Sequence, residues 1–170
     1  LAEAGGSLEE CKKLGDKVNK NSGSMGVALT SCSVPAAGKP NFEIGDDEME
    51  FGVGIHGEPG RRRDKIKSAQ EITSELLEAI NEDLKPESNE EILLFVNGMG
   101  GTPLTELYLI FANAKNVLDK KNIKISRSLV GNYCTSLEMQ GVSITLTKLD
   151  EELVKHWDSS VLTAAMRWGM

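Results

Sequence analysis

The sequence predicts an α+β domain in which a mixed β-sheet packs with helices. Two segments, 48–55 and 142–149, alternate apolar with small or polar residues, the period of a half-buried strand. Between them, a continuous apolar run at 92–96 leads through a glycine turn into a helix start, a single βα step. Hairpin patterns and isolated βα steps in one chain argue against a regular doubly wound sheet. A length of 170 residues suits a single domain that can bury a sizeable core.

Residues 7–20 read as a surface helix, with Leu8, Cys11, Leu14 and Val18 on one face and Lys and Glu opposite. Asn21-Ser22-Gly23-Ser24 breaks it, and 25–32 has strand character. Two prolines and a glycine between Ser33 and Pro40 mark a loop. Strands are expected at 41–44 and 48–55 around the turn Gly45-Asp46-Asp47, the second carrying Met49, Phe51, Val53 and Ile55 on one face. A long helix follows at about 66–84, its wide apolar face built by Ile66, Ala69, Ile72, Leu76, Leu77, Ile80 and Leu84. After the 92–96 strand, Thr102 reads as a hydroxyl cap and Pro103 as the first helical residue. The helix from 103 to about 119 is apolar almost all round, so deep packing is expected. Strands at 123–133 and 142–149 close the sheet, and a last helix carries His156 and Trp157.

Composition excludes several classes. Hydrophobic residues make up 39% and charged residues 26%, the balance of a globular domain. A net charge of -7 is unsuited to gripping a phosphate backbone, so no nucleic-acid partner is expected. No apolar run approaches the roughly 20 residues that cross a bilayer, so no membrane span is expected. Cys11, Cys32 and Cys134 are odd in number and far apart, which points to reduced thiols and a cytoplasmic protein. Two distant histidines and scattered cysteines assemble no metal set. A first residue of Leu rather than Met suggests a start inside a longer polypeptide.

Gly52, Gly54 and Gly57 satisfy GxGxxG, but a dinucleotide site needs those glycines between a strand and a helix start. Here the first two fall in the strand alternation and Glu58-Pro59-Gly60 makes a turn, so the nucleotide reading is set aside. The same stretch is better centred on His56, an imidazole at a strand end with small neighbours, Gly54 and Gly57, that leave room for a ligand. Local sequence leaves open a histidine that is merely hydrogen-bonded in a surface turn. Gly98 to Pro103 offers free amides to an anion or, more simply, a permissive chain reversal. Arg61, Arg62, Arg63, Lys65 and Lys67 form the one dense basic run, read as a local docking patch or a solvated helix entry.

The run Met49-Glu50-Phe51-Gly52-Val53-Gly54-Ile55-His56-Gly57-Glu58-Pro59-Gly60 strongly resembles the substrate-histidine segment of dihydroxyacetone kinases. Three further stretches agree in order: Gly38-Lys39-Pro40, Val96 to Pro103, and Leu129 to Tyr133 leading into Thr135 to Met139. The resemblance implies that residues 1–170 are the second domain, the C-terminal half, of a substrate-binding subunit whose N-terminal domain is absent here.

It also implies a chemistry. In that family this histidine attacks the ketone carbon of dihydroxyacetone and holds it as a covalent hemiaminal. An ordinary imidazole, with a pKa near ~6.5, is mostly neutral at pH 7 and so has a lone pair to give. Glycerol has no carbonyl to accept it, so selection comes from bonding. The acid/base pair, an aspartate and another histidine, belongs to the absent domain, leaving this fragment inactive alone. Glu58 is read as a partner that orients His56. The resemblance further implies a homodimer, no cofactor in this domain, ADP and Mg²⁺ on a separate nucleotide-binding kinase subunit, and phosphoenolpyruvate supplied through phosphotransferase proteins. The alternative is a sensor that keeps the histidine and coactivates a transcription regulator.

Overall fold

The structure, a computed structural model, describes residues 1–56 and 58–169. Helix α1 (Leu8–Lys20) opens with a capping box: the Glu10 amide donates to Ser7 Oγ at 3.3 Å, and the Ser7 amide to the Glu10 carboxylate at 2.7 Å. Its apolar stripe is present, yet no residue of the helix is buried and Leu8 is 88% exposed. The helix is not laid on the sheet. Lys17 instead ties it to Asp150 and Glu152.

Strand β1 (Ser22–Ala28) begins where a break was expected and ends before Cys32. Its pairing with β6 explains both ends, because Ser22 to Ala28 stand opposite Thr147 to Gly141 in unbroken register. Residues 41–44 are not a strand; only an isolated Ser33–Pro40 bridge marks that loop. Strand β2 (Glu48–Phe51) stops short of Ile55 because Gly52, at φ +80°, turns the chain.

Within the basic run, residues 62–65 form a strand that was not foreseen from sequence, with Arg61 before it and Lys67 beside the entry to the next helix. In β3 (Arg62–Lys65), Arg63 reaches Glu50 at 2.8 Å, Lys65 pairs with Asp47, and Arg62 lies 4.5 Å over the Phe51 ring while pairing with Glu75. Cross-strand acid and base replace the apolar alternation that would have announced it.

Helix α2 (Ala69–Leu84) starts after a Ser68–Glu71 capping box, so Ile66 lies outside it and is 47% exposed. Strand β4 (Glu91–Gly98) has a partner on each side, as its apolar run required. Helix α3 (Leu104–Lys120) follows, but Thr102 does not cap it. Its Oγ1 donates to Gly141 O at 2.7 Å and accepts from the Gly141 amide at 2.9 Å, stapling this loop to β6. Nor is α3 enclosed: Leu107, Ile110, Ala114 and Leu118 are buried, while Leu104, Tyr108 and Leu109 are half exposed. Strands β5 (Lys124–Gly131) and β6 (Gly141–Lys148), helix α4 (Glu151–Trp157) and a short hairpin, β7 (Val161–Leu162) with β8 (Arg167–Trp168), complete the chain. The hairpin was not foreseen from sequence; Trp168 closes it edge-on against Trp157 at 5.5 Å.

The sheet order is β3-β2-β1-β6-β4-β5, parallel only between β4 and β5. This is the mixed sheet of an α+β domain, as expected. One face carries Val27, Ile92, Leu94, Ile144 and Leu146, which α2 and α3 cover to make the main core. Register places Ser22, Ser24, Ser143, Thr145, Thr147, Phe95 and Asn97 on the opposite face. Strand alternation alone separates this largely hydroxyl-bearing face from the main core, and a smaller cluster of Ala28, Cys32, Val53, Met99 and Met139 is buried apart from it.

Candidate functional site

The segment around His56 is placed by glycines. Beyond Phe51 the Gly52 amide donates to Gly26 O at 2.7 Å, which folds residues 52–55 back across β1 on the polar face. A Cβ on Gly26 would sit 2.8 Å from Met99 Cε and 3.4 Å from Val53 O, so the segment crosses close over the bare backbone of β1. No helix follows Gly54; the next element is β3. The dinucleotide pattern therefore lacks the helix start it needs. Gly57 lies outside the described residues.

His56 ends this segment with its side chain 80% exposed. Its amide donates to Glu58 Oε2 at 3.1 Å and its Nδ1 lies 3.2 Å from Glu58 Oε1. One carboxylate thus holds both backbone and ring of the histidine. The Glu58 carboxyl sits below the ordinary carboxylate range, first through its own backbone amide and then, against desolvation, through the His56 ring and amide. A Cβ on Gly54 would run into Glu58 Oε2. The bare backbone of Gly54 leaves the space in which the carboxylate reaches Nδ1 of the imidazole. The three described residues foreseen at the site, Gly54, His56 and Glu58, are thereby brought together.

Beside this loop the polar face forms an open cleft of about 380 Å³. Its floor carries Ser24 and Thr145, whose hydroxyls lie 2.8 Å apart, with Ser143 and Asn97 next to them. Asn97 is 2% exposed and fully used: Oδ1 accepts from the Tyr133 and Cys134 amides at 3.0 and 2.9 Å, and Nδ2 donates to Cys134 O at 2.8 Å. It locks the end of β5 against β4. Sequence reasoning passed over Asn97, although a polar residue closing an apolar strand run was a signal for it. The hydroxyl floor and Arg61 at the rim were also missed, since both depend on strand pairing.

The glycine turn after β4 offers little to an anion. The Met99 amide donates to Gly141 O, the Gly100 amide to Asn132 Oδ1 at 3.1 Å, and the Gly101 amide to Met139 O at 2.8 Å. A Cβ on Gly100 or Gly101 would collide with the carbonyls of Leu137 or Glu138, so these glycines serve close backbone approach. His156 is half-buried in α4, away from the cleft lining. Among the described residues no group of three or more His, Cys, Asp or Glu is arranged to hold a metal ion. No helix among them is long and apolar enough to cross a membrane.

Comparison with known proteins places this arrangement. The family model of the Dak1 domain matches residues 1–165. The chain is 46% identical over 151 residues to the dihydroxyacetone-binding subunit DhaK of PTS-dependent dihydroxyacetone kinase 1 from Listeria innocua, covering 89% of this chain and 46% of that protein. It is 40% identical over 192 residues to the dihydroxyacetone-binding subunit DhaK of the PEP-dependent dihydroxyacetone kinase of Escherichia coli, covering 99% and 54%. The chain thus spans about half the length of these curated relatives. Among solved structures, the dihydroxyacetone kinase operon co-activator DhaQ superposes with a TM-score of 0.83 at 31% identity, covering 91% of this chain and 48% of that one. A family model spanning nearly the whole chain agrees with relatives of this identity and with the sheet observed here, and the chain belongs to the Dak1 domain family.

Proposed function

We propose that this domain binds dihydroxyacetone through a covalent hemiaminal to His56, as half of the substrate-binding subunit of a dihydroxyacetone kinase. The observation that carries the reading is the Glu58 clamp on His56. With Nδ1 carrying the proton toward Glu58, the lone pair resides on Nε2 of an imidazole that is 80% exposed. Nε2 adds to the ketone carbon, the carbonyl oxygen takes up a proton, and Nδ1 releases one as the ring returns to neutrality. Glu58 offsets the positive charge the ring carries between those steps.

The residues that deprotonate the attacking hydroxyl are assigned to the half of the relatives' length not represented here, so residues 1–170 alone are expected to lack kinase activity. ADP and Mg²⁺ belong to a separate nucleotide-binding subunit fed from phosphoenolpyruvate, and the working subunit is a cytoplasmic homodimer. Relatives named as PTS- or PEP-dependent kinase subunits support the donor. A second reading, a dihydroxyacetone-binding coactivator of a transcription regulator, is favoured by the likeness to DhaQ. Phosphorylation of dihydroxyacetone by the intact protein with its partner subunits separates the two.

The test of the site is intact-mass spectrometry of the full-length protein with dihydroxyacetone. Wild type should gain the mass of the ketose reversibly, and His56→Ala should gain none while unfolding within about 0.5 kcal/mol of wild type, as an exposed side chain allows. An adduct that survives the substitution would overturn the assignment of His56.

A further inference from the structure

We infer that Met99 is a positioning residue for His56: its side chain, laid over the bare backbones of Gly26 and Gly141, is the seat that sets where the His56 segment stands beside the cleft. This rests on the reading of His56 above. The segment has few other fastenings. The Gly52 amide donates to Gly26 O at 2.7 Å, and among the described residues no hydrogen bond joins Val53, Gly54 or Ile55 to the sheet. Of residues 52–56 Val53 alone is buried, at 5% exposure. Its side chain, three positions before His56, is therefore the anchor of the segment.

Val53 is buried in the small cluster with Ala28, Cys32, Met99 and Met139, apart from the main core. The point that a Cβ on Gly26 would occupy lies 2.8 Å from Met99 Cε and 3.4 Å from Val53 O, so both approach the same bare spot on β1. A Cβ on Gly141 would lie 2.9 Å from Met99 Sδ, so the same thioether also covers β6. Gly26 and Gly141 share the face of Ser24 and Ser143, their neighbours two positions away on β1 and β6. With no side chain at either glycine, the long unbranched thioether fills the gap beneath the crossing segment. The backbone of Met99 reaches the other wall of the cleft. Its carbonyl accepts from the Ser136 amide at 2.7 Å, in the loop that brings Cys134 to the cleft.

An imidazole that must bond a carbon atom tolerates little displacement: a shift of about 1 Å can cost on the order of a hundredfold. Without the thioether, Val53 would stand over an empty space, and the segment would settle into it or move between positions. The Glu58 clamp would travel with His56, since both lie on that segment. The ring would therefore keep its chemistry and lose its placement against the cleft. Met99 acts on His56 through packing alone, a role separate from that of Glu58.

The experiment is intact-mass titration of the full-length protein with dihydroxyacetone, run well below the melting temperature of each variant. Beside it, NMR follows the ligand-free His56 ring, its signal identified by its absence from His56→Ala. Met99→Ala should weaken adduct formation by about tenfold or more and broaden or split the ring signal. Met99→Leu, close in volume, should bring adduct formation back to within about twofold of wild type and restore a single ring signal. Leu146→Ala, a truncation in the main core, should lower the melting temperature and leave both readouts as in wild type. Should Met99→Ala fail to fold, Gly26→Ala takes its place, because its methyl displaces the flexible end of Met99 from below and should disturb both readouts. Wild-type behaviour in the Met99→Ala or substituted Gly26→Ala variant, an equal loss in Leu146→Ala, or no recovery in Met99→Leu would overturn the assignment. The ring signal keeps this result apart from the hemiaminal. A wild type that forms no adduct would count against the chemistry of His56, while a ring signal unchanged by Met99→Ala would count against Met99.

Discussion

Gly54 and Glu58 form a pair in which the absence of one side chain positions another. Glu58 Oε2 occupies the space a Cβ at 54 would need, and from there its carboxylate reaches both the amide and Nδ1 of His56. The obstacle to alanine is the end of a flexible side chain, so Gly54→Ala should fold with a midpoint close to wild type and displace Glu58. Loss of the clamp should lower dihydroxyacetone adduct formation about tenfold, the scale of a lost orienting partner. Intact-mass titration beside thermal melts checks both halves; an adduct unchanged in the alanine variant would deny Glu58 its role. The motif itself was readable from sequence. That Gly54 serves Glu58 was not, because residue order does not show which side chain folds back over a glycine.

Among the elements, α1 shows most clearly how a sequence pattern and its burial part company. Its apolar stripe has helical spacing, but the helix is held by charge at one end rather than by a core: Lys17 with Asp150 and Glu152 on α4. Lys17 lowers the Asp150 carboxyl below its ordinary value, and the Leu153 amide that Asp150 caps lowers it further. Because the folded-state value is depressed, this contribution is whole above the unfolded aspartate pKa of about 3.9 and is lost as pH falls through the lower folded value. Hydrogen exchange should therefore show α1 and the start of α4 loosening together below about pH 4 while α2 and the central strands stay protected. Lys17→Ala should bring the α1 loosening to neutral pH. Protection of α1 that is indifferent to both pH and Lys17 would show that the tether contributes nothing. Strand β3 is the converse case, an element hidden from periodicity because its partners are Glu50 and Asp47 and not an apolar face.

At the scale of the whole molecule, the six-stranded sheet sets the main core on one face and the open cleft on the other. Leu146 is fully buried on the packed face, in the core cluster with residues of α2 and α3. Leu146→Ala should cost about 2–5 kcal/mol in urea unfolding. A loss below about 1 kcal/mol would mean that the two layers are less tightly joined than the structure shows. The sequence by itself determined the α+β class, helices α2 and α3, strands β4 to β6, and the histidine segment, because each is written in local periodicity, caps or a contiguous motif. It also marked His56, Gly54 and Glu58, which lie within five consecutive positions. Only the tertiary structure decided that β1 starts at Ser22, that Thr102 staples β6 instead of capping α3, that α1 stays unburied, and that Arg61 meets the hydroxyls of β1 and β6 across a cleft. The physical reason is common to all four. Local sequence encodes which face of an element is apolar, whereas what that face or its neighbour meets depends on strand order, and here the strand beside β1 is β6, drawn from the far end of the chain.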